Sequence, residues 1–372
     1  MDENTRKTRP SAKSGGEAKA GRPARLIDVA RLADVSRATA ARALGQYGLV
    51  GQETRDKVMA AAKALNYQAN EVARSMRSGK TLTIGLVVAA ISNSFFNSTI
   101  LAIMETAARY GYQILILNTN DNAELEVEAV RVLREKRVDG LIVVPSSVGD
   151  TSHLDPQGPS SVPIVLFDRL VADKPLAAMT TDDIFGAGEA IRHLVSRGHR
   201  RIGMLIAAQT TEGHSIDRPA RVVSTVEERA VGAELAMAAA GLSFEPGWVR
   251  YSVNAIAVAT DAALSILRQP NPPTAILTTN EEMALAAVSA ARQLQLGIGT
   301  DLSLVSIDDT AWLKVFSPPV TVIERPIHAL AQAAVESLIG EIRSGLPARS
   351  ARLQPRLIER ESVCDLTVAG RR

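Results

Sequence analysis

Apolar residues recur at helical spacing between Leu26 and Leu44, and a short polar break divides this segment in two. The pattern predicts one helix over 27–33, a two-residue turn, and a second helix that begins at Arg37. Ser36 is a preferred N-cap, because its hydroxyl can accept from a backbone N–H two or three residues later. Two short helices joined in this way are typical of a helix-turn-helix, which reads DNA.

The second predicted helix has an apolar face that packs inward and a basic face that is available to DNA. On the basic face, Arg37 can bond guanine with two hydrogen bonds and Ala38 can touch a thymine methyl group. Thr39 and Arg42 are suited to phosphate contacts, and Ser36 is also counted among the predicted DNA-binding residues. The alternative is an ordinary helical hairpin with a solvated basic face.

The rest of the chain alternates between short apolar runs and segments of helical periodicity. A third helix is expected over 52–67. Strands are expected at 81–88, 112–119, 138–145, 162–168, 200–207, 275–279 and 302–308. Helices are expected at 96–110, 124–136, 184–196, 227–240, 257–267, 282–295 and 327–344. This order predicts an α/β core of two lobes, each a parallel sheet flanked by helices, behind an all-α headpiece. A ligand is expected in the cleft where the strands of both lobes end.

Charge is distributed unevenly along the chain. Residues 1–80 hold 16 Lys and Arg against 8 Asp and Glu, whereas the remainder holds 26 against 32. A basic module on an acidic body indicates that affinity for phosphate backbones is confined to one end. The first 24 residues contain almost nothing apolar, so we expect a disordered basic tail. No signal peptide or apolar run long enough to span a membrane is recognisable, and the single cysteine, Cys364, fits a reducing cytoplasm.

Motifs for catalysis or for cofactors are missing from the sequence. The nearest approach to a dinucleotide-binding loop, Gly186 to Gly188, lacks the third glycine, and there is no Walker A sequence. The five histidines show no spacing typical of a metal site. We therefore expect neither an enzyme nor a bound cofactor or metal.

Residues 26–80 resemble the DNA-binding headpiece of the LacI/GalR (lactose-repressor/galactose-repressor) family. The stretch VSRATAARAL resembles its recognition helix, and NEVARSMRSGKT resembles its hinge helix. The resemblance implies that the hinge enters the minor groove beside its dimer mate, with Asn70, Ala73 and Met76 at the DNA. Met76 stands where the family has a wedging leucine, and methionine is also an apolar wedge. Ala41 and Gly51 depart from the serines usual at their positions.

Residues 81–363 resemble the periplasmic-binding-protein-like core of the same family. The landmarks are AISNSFFNS, VDGLIVVPS, IVLFDR, RGHRRIG, EERAVG, TAILTTNEEMALAA, LSLVSIDDTAW and SPPVTVIERP. The resemblance places ligand-contacting groups at the strand ends, and phenylalanines with polar side chains suit the C–H faces and hydroxyls of a sugar. The implied effector-binding residues are Asn93, Phe95, Phe96, Asp168, Arg169, Arg229, Asn280, Asp308, Trp312 and Arg325.

Structural roles compete with ligand binding at most of these positions. The two phenylalanines can begin a helix and fill its core, and Arg229 can lie on a helix surface. Asp168 and Arg169 can form a surface turn. Asn280 and Asp308 can cap the segments that follow them, and Trp312 can pack in the core or at an interface.

Arg325 stands where sugar-binding members often have glutamine. A further arginine in the cleft favours an anionic effector such as a sugar acid or a sugar phosphate. Alternatively, Arg325 pairs with Glu324 or Asp308 and leaves a site for a neutral sugar.

The sequence thus predicts a cytoplasmic transcriptional regulator that represses genes of carbohydrate uptake or catabolism. A homodimer is expected on a pseudo-palindromic double-stranded DNA operator, with its affinity changed allosterically by a small, ribose-like carbohydrate. An activator, a solute-binding protein and an enzyme on the same scaffold are the alternatives. The expected domains are a tail at 1–24, a helix-turn-helix domain at 25–69, a hinge and linker at 70–80, the two-lobed core at 81–363 and a C-terminal tail at 364–372.

Overall fold

The computed structural model describes residues 24–45, 48–67, 79–146, 149–155, 161–172, 174–208 and 222–367. The chain divides into two compact units, Met1–Thr81 and Leu82–Arg372. The tail predicted for 1–24, except its last residue, lies outside the described residues. The three predicted hinge contacts, Asn70, Ala73 and Met76, lie outside them too, so they stay predictions.

The described part of the first unit contains three helices, α1 (Leu26–Leu32), α2 (Arg37–Gly45) and α3 (Gln52–Ala64). Its small core is built from alanines and valines on all three helices. Helix α2 begins where the sequence predicts, because the Ser36 hydroxyl accepts from the backbone N–H of Thr39 at 3.0 Å. The turn before it places Asp34 at a φ of 51°, a conformation that aspartate tolerates better than most residues.

Lobe 1 of the second unit contains a six-stranded sheet in the order β2-β1-β3-β4-β5-β11, all parallel. Its strands are β1 (Thr83–Val88), β2 (Gln113–Asn118), β3 (Gly140–Val143), β4 (Ile164–Phe167), β5 (Ala177–Thr181) and β11 (Ala351–Leu353). Helices α4 (Ser94–Arg109) and α11 (Ile327–Ser344) pack on one face of the sheet, and α5 (Ala123–Glu135) packs on the other. A short 3-10 turn spans Ser152–Leu154.

Lobe 2 contains a second six-stranded sheet in the order β7-β6-β8-β9-β10-β12, in which β12 alone runs antiparallel. Its strands are β6 (Ile202–Ala207), β7 (Val249–Ser252), β8 (Ala275–Thr278), β9 (Ser303–Ile307), β10 (Thr321–Glu324) and β12 (Arg356–Ile358). The helices are α6 (Asp183–Ser196), α7 (Ser224–Ala239), α8 (Ile256–Leu267), α9 (Glu281–Gln293) and α10 (Ala311–Val315). Helices α6 and α7 cover one face, and the other three cover the opposite face.

Three described segments cross between the lobes. They join β5 to α6, β10 to α11 and β11 to β12, so each lobe is assembled from separate stretches of chain. The crossovers run beside the cleft. The first two, from β5 to α6 and from β10 to α11, each leave the carboxyl end of a strand that points toward the cleft.

The predicted fold class is confirmed, and all seven predicted strands are present. The five strands that the sequence pattern did not predict are β5, β7, β10, β11 and β12. Each of them is an edge strand or lies next to one, where short strands with polar residues lack a continuous apolar run. No helix in the described part of the chain is long and apolar enough to cross a membrane.

Candidate effector site and nucleic-acid interface

A cavity of about 420 Å³ lies between the two lobes. Its walls come from segments that follow the carboxyl ends of strands in both sheets, the position where open α/β sheets bind ligands. The structure brings nine of the ten predicted effector residues to this cavity. They are Asn93, Phe95, Phe96, Asp168, Arg169, Arg229, Asn280, Asp308 and Arg325.

Two phenylalanines form the aromatic part of the cavity wall. Helix α4 begins with the Asn93 side chain accepting from the Phe95 backbone N–H at 3.0 Å, which fixes Phe95 and Phe96 in the first turn. Their rings meet edge to face with centroids 5.1 Å apart. Both rings also belong to the core of lobe 1, so the residues start a helix, fill a core and line the cleft at once.

Arg325 is buried and paired with two carboxylates. Its Nε and Nη2 donate to the two oxygens of Asp308 at 2.6 and 2.9 Å, and its Nη1 donates to Asp168 at 2.7 Å. Its guanidinium lies 3.3 Å from the Phe95 ring centroid. Burial acts to lower the pKa of Arg325, but the two carboxylates outweigh it and hold this pKa above its ordinary value. Of the two partners considered from the sequence, Asp308 is the one observed, while Glu324 pairs with Arg356.

Arg169 is anchored within lobe 1. Its guanidinium donates to both oxygens of Asp121 and, through Nη1, to the carbonyl oxygen of Pro145 at 2.9 Å. It also lies 5.9 Å from the centroid of the Phe96 ring. Arg169 is therefore part of the buried cleft wall and does not form a surface turn.

Arg229 is anchored within lobe 2. Its Nε donates to Asp183 and its Nη1 donates to the carbonyl oxygen of Thr279, both at 2.9 Å. Burial raises the pKa of Asp183 above its ordinary value even though Arg229 lies beside it. Arg229 lies on a buried face of α7, so the structure excludes the surface role considered from the sequence.

Asn280 caps a helix and lines the cleft. Its side-chain oxygen accepts from the backbone N–H of Met283 at 3.0 Å and so begins α9. Its Nδ2 donates to Asn254 at 2.8 Å. The structural role predicted as an alternative for Asn280 is thus present together with its place at the cavity.

The charges in and behind the cleft wall are largely compensated internally. Each of the three lining arginines already contacts at least one carboxylate of the chain. The carboxylates are Asp121, Asp168, Asp183, Glu282 and Asp308. Because each of these guanidinium groups is already paired with a carboxylate, the described cleft offers no uncompensated arginine for an anionic ligand.

Trp312 is the predicted effector residue that lies outside the cavity lining. Its ring packs edge to face against Phe316 with centroids 5.9 Å apart, on the core of lobe 2. Its Nε1 is buried and has no hydrogen-bond partner in the described structure. This placement agrees with the packing role considered for Trp312.

Several polar residues of the cleft were not predicted from the sequence. Among them are Asn120, Asp121, Ser146, Asn254 and Glu282. The first three follow the predicted strands β2 and β3, so the rule that polar residues after a strand face the cleft applies to them too. Asn254 follows β7, which was not predicted, and Glu282 was assigned only as the start of a helix.

In the headpiece, most of the predicted DNA-binding side chains of helix α2 are exposed to solvent. Arg37, Ala38 and Arg42 are exposed. Thr39 is partly buried and bonds to the Ser36 hydroxyl at 2.9 Å. Since Ala40 and Ala43 fill the core from the opposite side, the two faces of α2 are divided as the sequence predicts.

The described residues include no group of three or more His, Cys, Asp or Glu placed to hold a metal ion. The arrangement is instead that of a binding protein. A helix-turn-helix unit with an exposed basic face and a two-lobed core with a polar and aromatic cleft together define a ligand-responsive DNA-binding protein.

Comparison with known families agrees with this class. Residues 25–70 match the model described as "Bacterial regulatory proteins, lacI family", and residues 81–361 match "Periplasmic binding proteins and sugar binding domain of LacI family". The chain belongs to the LacI family, as the sequence motifs predict.

Individual relatives cover about three quarters or more of the chain. It is 33% identical over 331 residues to the HTH-type transcriptional repressor PurR of Photobacterium profundum, covering 88% of this chain and 95% of that protein. It is 25% identical to the lac repressor dimer bound to operator and the anti-inducer ONPF, with a TM-score of 0.78 over 92% of this chain and 100% of that one. A putative ribose operon repressor from Burkholderia thailandensis is 32% identical, with a TM-score of 0.65 over 74% of this chain and 98% of that one.

The protein is therefore a ligand-responsive, DNA-binding transcriptional repressor of the LacI family. Members of this family bind operator DNA and small effectors, typically as dimers. The relatives are repressors and not enzymes, so the prediction of a regulator is confirmed.

Proposed function

We propose that the protein represses genes of carbohydrate uptake or catabolism in the cytoplasm, and that a small neutral monosaccharide sets its operator affinity. The observation that carries the proposal is the cleft, in which the Phe96 ring lies beside charge-compensated polar groups. It binds as a homodimer to a pseudo-palindromic operator through Arg37 and the other predicted residues of α2, since a two-fold dimer matches a two-fold site.

A sugar fits the chemistry of this cleft better than an anion does. Phe96 supplies an apolar surface for C–H groups, while Asn280 and Arg229 line the same cavity and carry N–H groups of the kind that donate to hydroxyls. A sugar acid or sugar phosphate needs a cation that is not already neutralised, and the lining arginines are paired with carboxylates. The relationship to a putative ribose operon repressor supports a pentose such as ribose among the neutral sugars.

Thermal-shift screening of the full chain against pentoses, hexoses, polyols, sugar acids and sugar phosphates tests the proposal. A ligand that binds the native state raises the melting temperature. We expect a neutral sugar to do so, and we expect Phe96→Ala and Arg229→Ala to abolish the shift. Phe316→Ala and Arg360→Ala are matched controls outside the cavity lining and should keep it.

Operator binding then links the ligand to function. An operator selected from random DNA is titrated with the protein, with and without the sugar. We expect the sugar to change the dissociation constant by about 5–150-fold, the usual range of allosteric coupling. The direction shows whether the sugar releases or recruits the repressor. A hit confined to anionic sugars, or a sugar without effect on operator affinity, contradicts the proposal.

A further inference from the structure

The three arginines of the cleft differ in which lobes they connect. Both hydrogen-bond partners of Arg169, Asp121 and the Pro145 carbonyl, belong to lobe 1. The partners of Arg229 belong to lobe 2. The carboxylate partners of Arg325 are divided between the lobes, because Asp168 follows β4 of lobe 1 and Asp308 follows β9 of lobe 2.

The position of Arg325 in the chain lets it connect the two lobes. It lies on the crossover between β10 of lobe 2 and α11, which packs on lobe 1. Two parallel hydrogen bonds hold its guanidinium to Asp308, and one bond together with stacking on Phe95 holds it to lobe 1. Opening of the cleft separates Asp168 and Phe95 from this guanidinium.

The charges around Arg325 also make a closed cleft depend on its guanidinium. Asp168 and Asp308 are both buried and both bond to the same cation, with Asp183 also close enough to influence its pKa. Without the cation, the two buried carboxylates line the same cleft from opposite lobes with no arginine between them, and like charges in such a setting repel.

We propose that Arg325 is a positioning residue of the effector site that ties lobe 1 to lobe 2 and holds the cleft closed with the chain's own charges. The inference rests on the proposed function only in taking this cleft as the effector site. The effector then binds between lobes that are already held together, and closure does not depend on contacts that the effector supplies.

Distances between spin labels, measured by pulsed electron paramagnetic resonance without any sugar, test the tie. Labels are attached at Glu124→Cys and Ala257→Cys in a Cys364→Ser background. Both label sites are exposed and stand near the amino ends of α5 and α8, on opposite sides of the cleft. Labelled protomers are diluted with unlabelled protein so that distances within one protomer dominate.

We expect a single short distance in the otherwise native chain and a shift to longer distances in Arg325→Gln. Arg229→Gln is the matched control, since it removes an equally buried arginine whose partners lie in one lobe, and it should leave the distance unchanged. Arg325→Gln combined with Asp168→Asn removes the repulsion and should return part of the population to the short distance.

Circular dichroism shows whether Arg325→Gln folds. If it does not, Asp168→Asn alone still tests the tie, because this variant keeps the pair of Arg325 with Asp308. It should lengthen the distance less than a folded Arg325→Gln does. An unchanged distance in Asp168→Asn, or an equal lengthening in Arg229→Gln, overturns the proposal. Because no sugar is present, failure of the sugar screen refutes the proposed effector and leaves this result standing.

Discussion

The side-chain amide of Asn93 in lobe 1 donates to both carboxylate oxygens of Glu282 in lobe 2, each at 3.1 Å. Asn93 is the N-cap of α4, and Glu282 lies in the first turn of α9, so the amino ends of two helices meet across the cleft. Burial, with Glu281 and Asp308 nearby, raises the pKa of Glu282 above its ordinary value despite the bond from Asn93.

This raised pKa predicts how stability depends on pH. The folded chain binds a proton at Glu282 more readily than the unfolded chain, so the contribution of this group to stability falls as pH rises through its folded pKa. Glu282→Gln should therefore raise the melting temperature at neutral pH, and the gain should disappear at about pH 4, where the carboxyl is largely protonated in both states. Melting curves of both proteins across this range provide the measurement.

Glu128→Gln is the control for that experiment. The Glu128 carboxylate is exposed and its pKa is lowered by Arg131, so removing its charge should not raise the melting temperature at neutral pH. A gain in Glu282→Gln that is the same at every pH would show that packing, and not ionisation, is responsible.

Gly232 allows α7 to pack closely against α6. A Cβ at this position would lie 2.3 Å from the carbonyl oxygen of Ile184 and 2.8 Å from its Cα, both rigid backbone atoms. We expect Gly232→Ala to lower the free energy of unfolding by about 1–3 kcal/mol. Gly340→Ala, in α11 with open space around the new Cβ, should instead raise it by about 0.5–1 kcal/mol. Denaturant unfolding of both variants measures the contrast, and an equal change in both would refute the packing explanation.

Ser36 starts the DNA-binding helix, so its loss should loosen α2. Ser36→Ala removes the hydrogen bond to the Thr39 backbone and should cost about 1 kcal/mol of local helix stability. Hydrogen exchange of the α2 amides in the full chain should be correspondingly faster. Ser36→Asn supplies another good capping side chain and should restore slow exchange. If both variants exchange alike, the cap is not what holds this end of the helix.

Arg37 and Arg42 should have separable effects on operator binding. Arg37→Ala should cost about 1–3 kcal/mol and relax the preference for one base, because we assign this side chain to a base edge. Arg42→Ala should weaken binding to all sequences alike and reduce the slope of affinity against salt by about 1, because we assign it to a phosphate. Titrations of selected and mismatched operators at several salt concentrations distinguish the two, and a uniform loss in Arg37→Ala would contradict its assignment.

The headpiece could be predicted closely because its determinants are local. A capping serine, a two-residue turn and alanines at helical spacing specify α2 without reference to the rest of the chain. The seven predicted strands were also evident, since each belongs to a short apolar run. Strand β7, with the sequence VRYS at a sheet edge, has no such signal.

Nine residues of the cleft lining were predicted from the sequence, whereas most of the pairings between the lining residues were not. Asp168 and Asp308 follow clear strands, and the family resemblance pointed to both. The partner that they share, Arg325, is 157 residues from Asp168 in the chain, and only the crossovers between the lobes bring the two together. The sequence therefore left open whether Arg325 is available to an anion, and in the structure its guanidinium is paired with Asp308 and Asp168.

The chain is synthesised from its amino terminus, so the crossovers also affect when each lobe can fold. The described core of the headpiece ends at residue 67, whereas each lobe lacks a sheet strand until residues 351–358 have been synthesised. Because domains tend to fold as units during synthesis, the part that reads DNA can fold long before the part that senses the ligand. A polypeptide truncated before residue 351 would carry a folded helix-turn-helix unit without a finished ligand-binding core behind it.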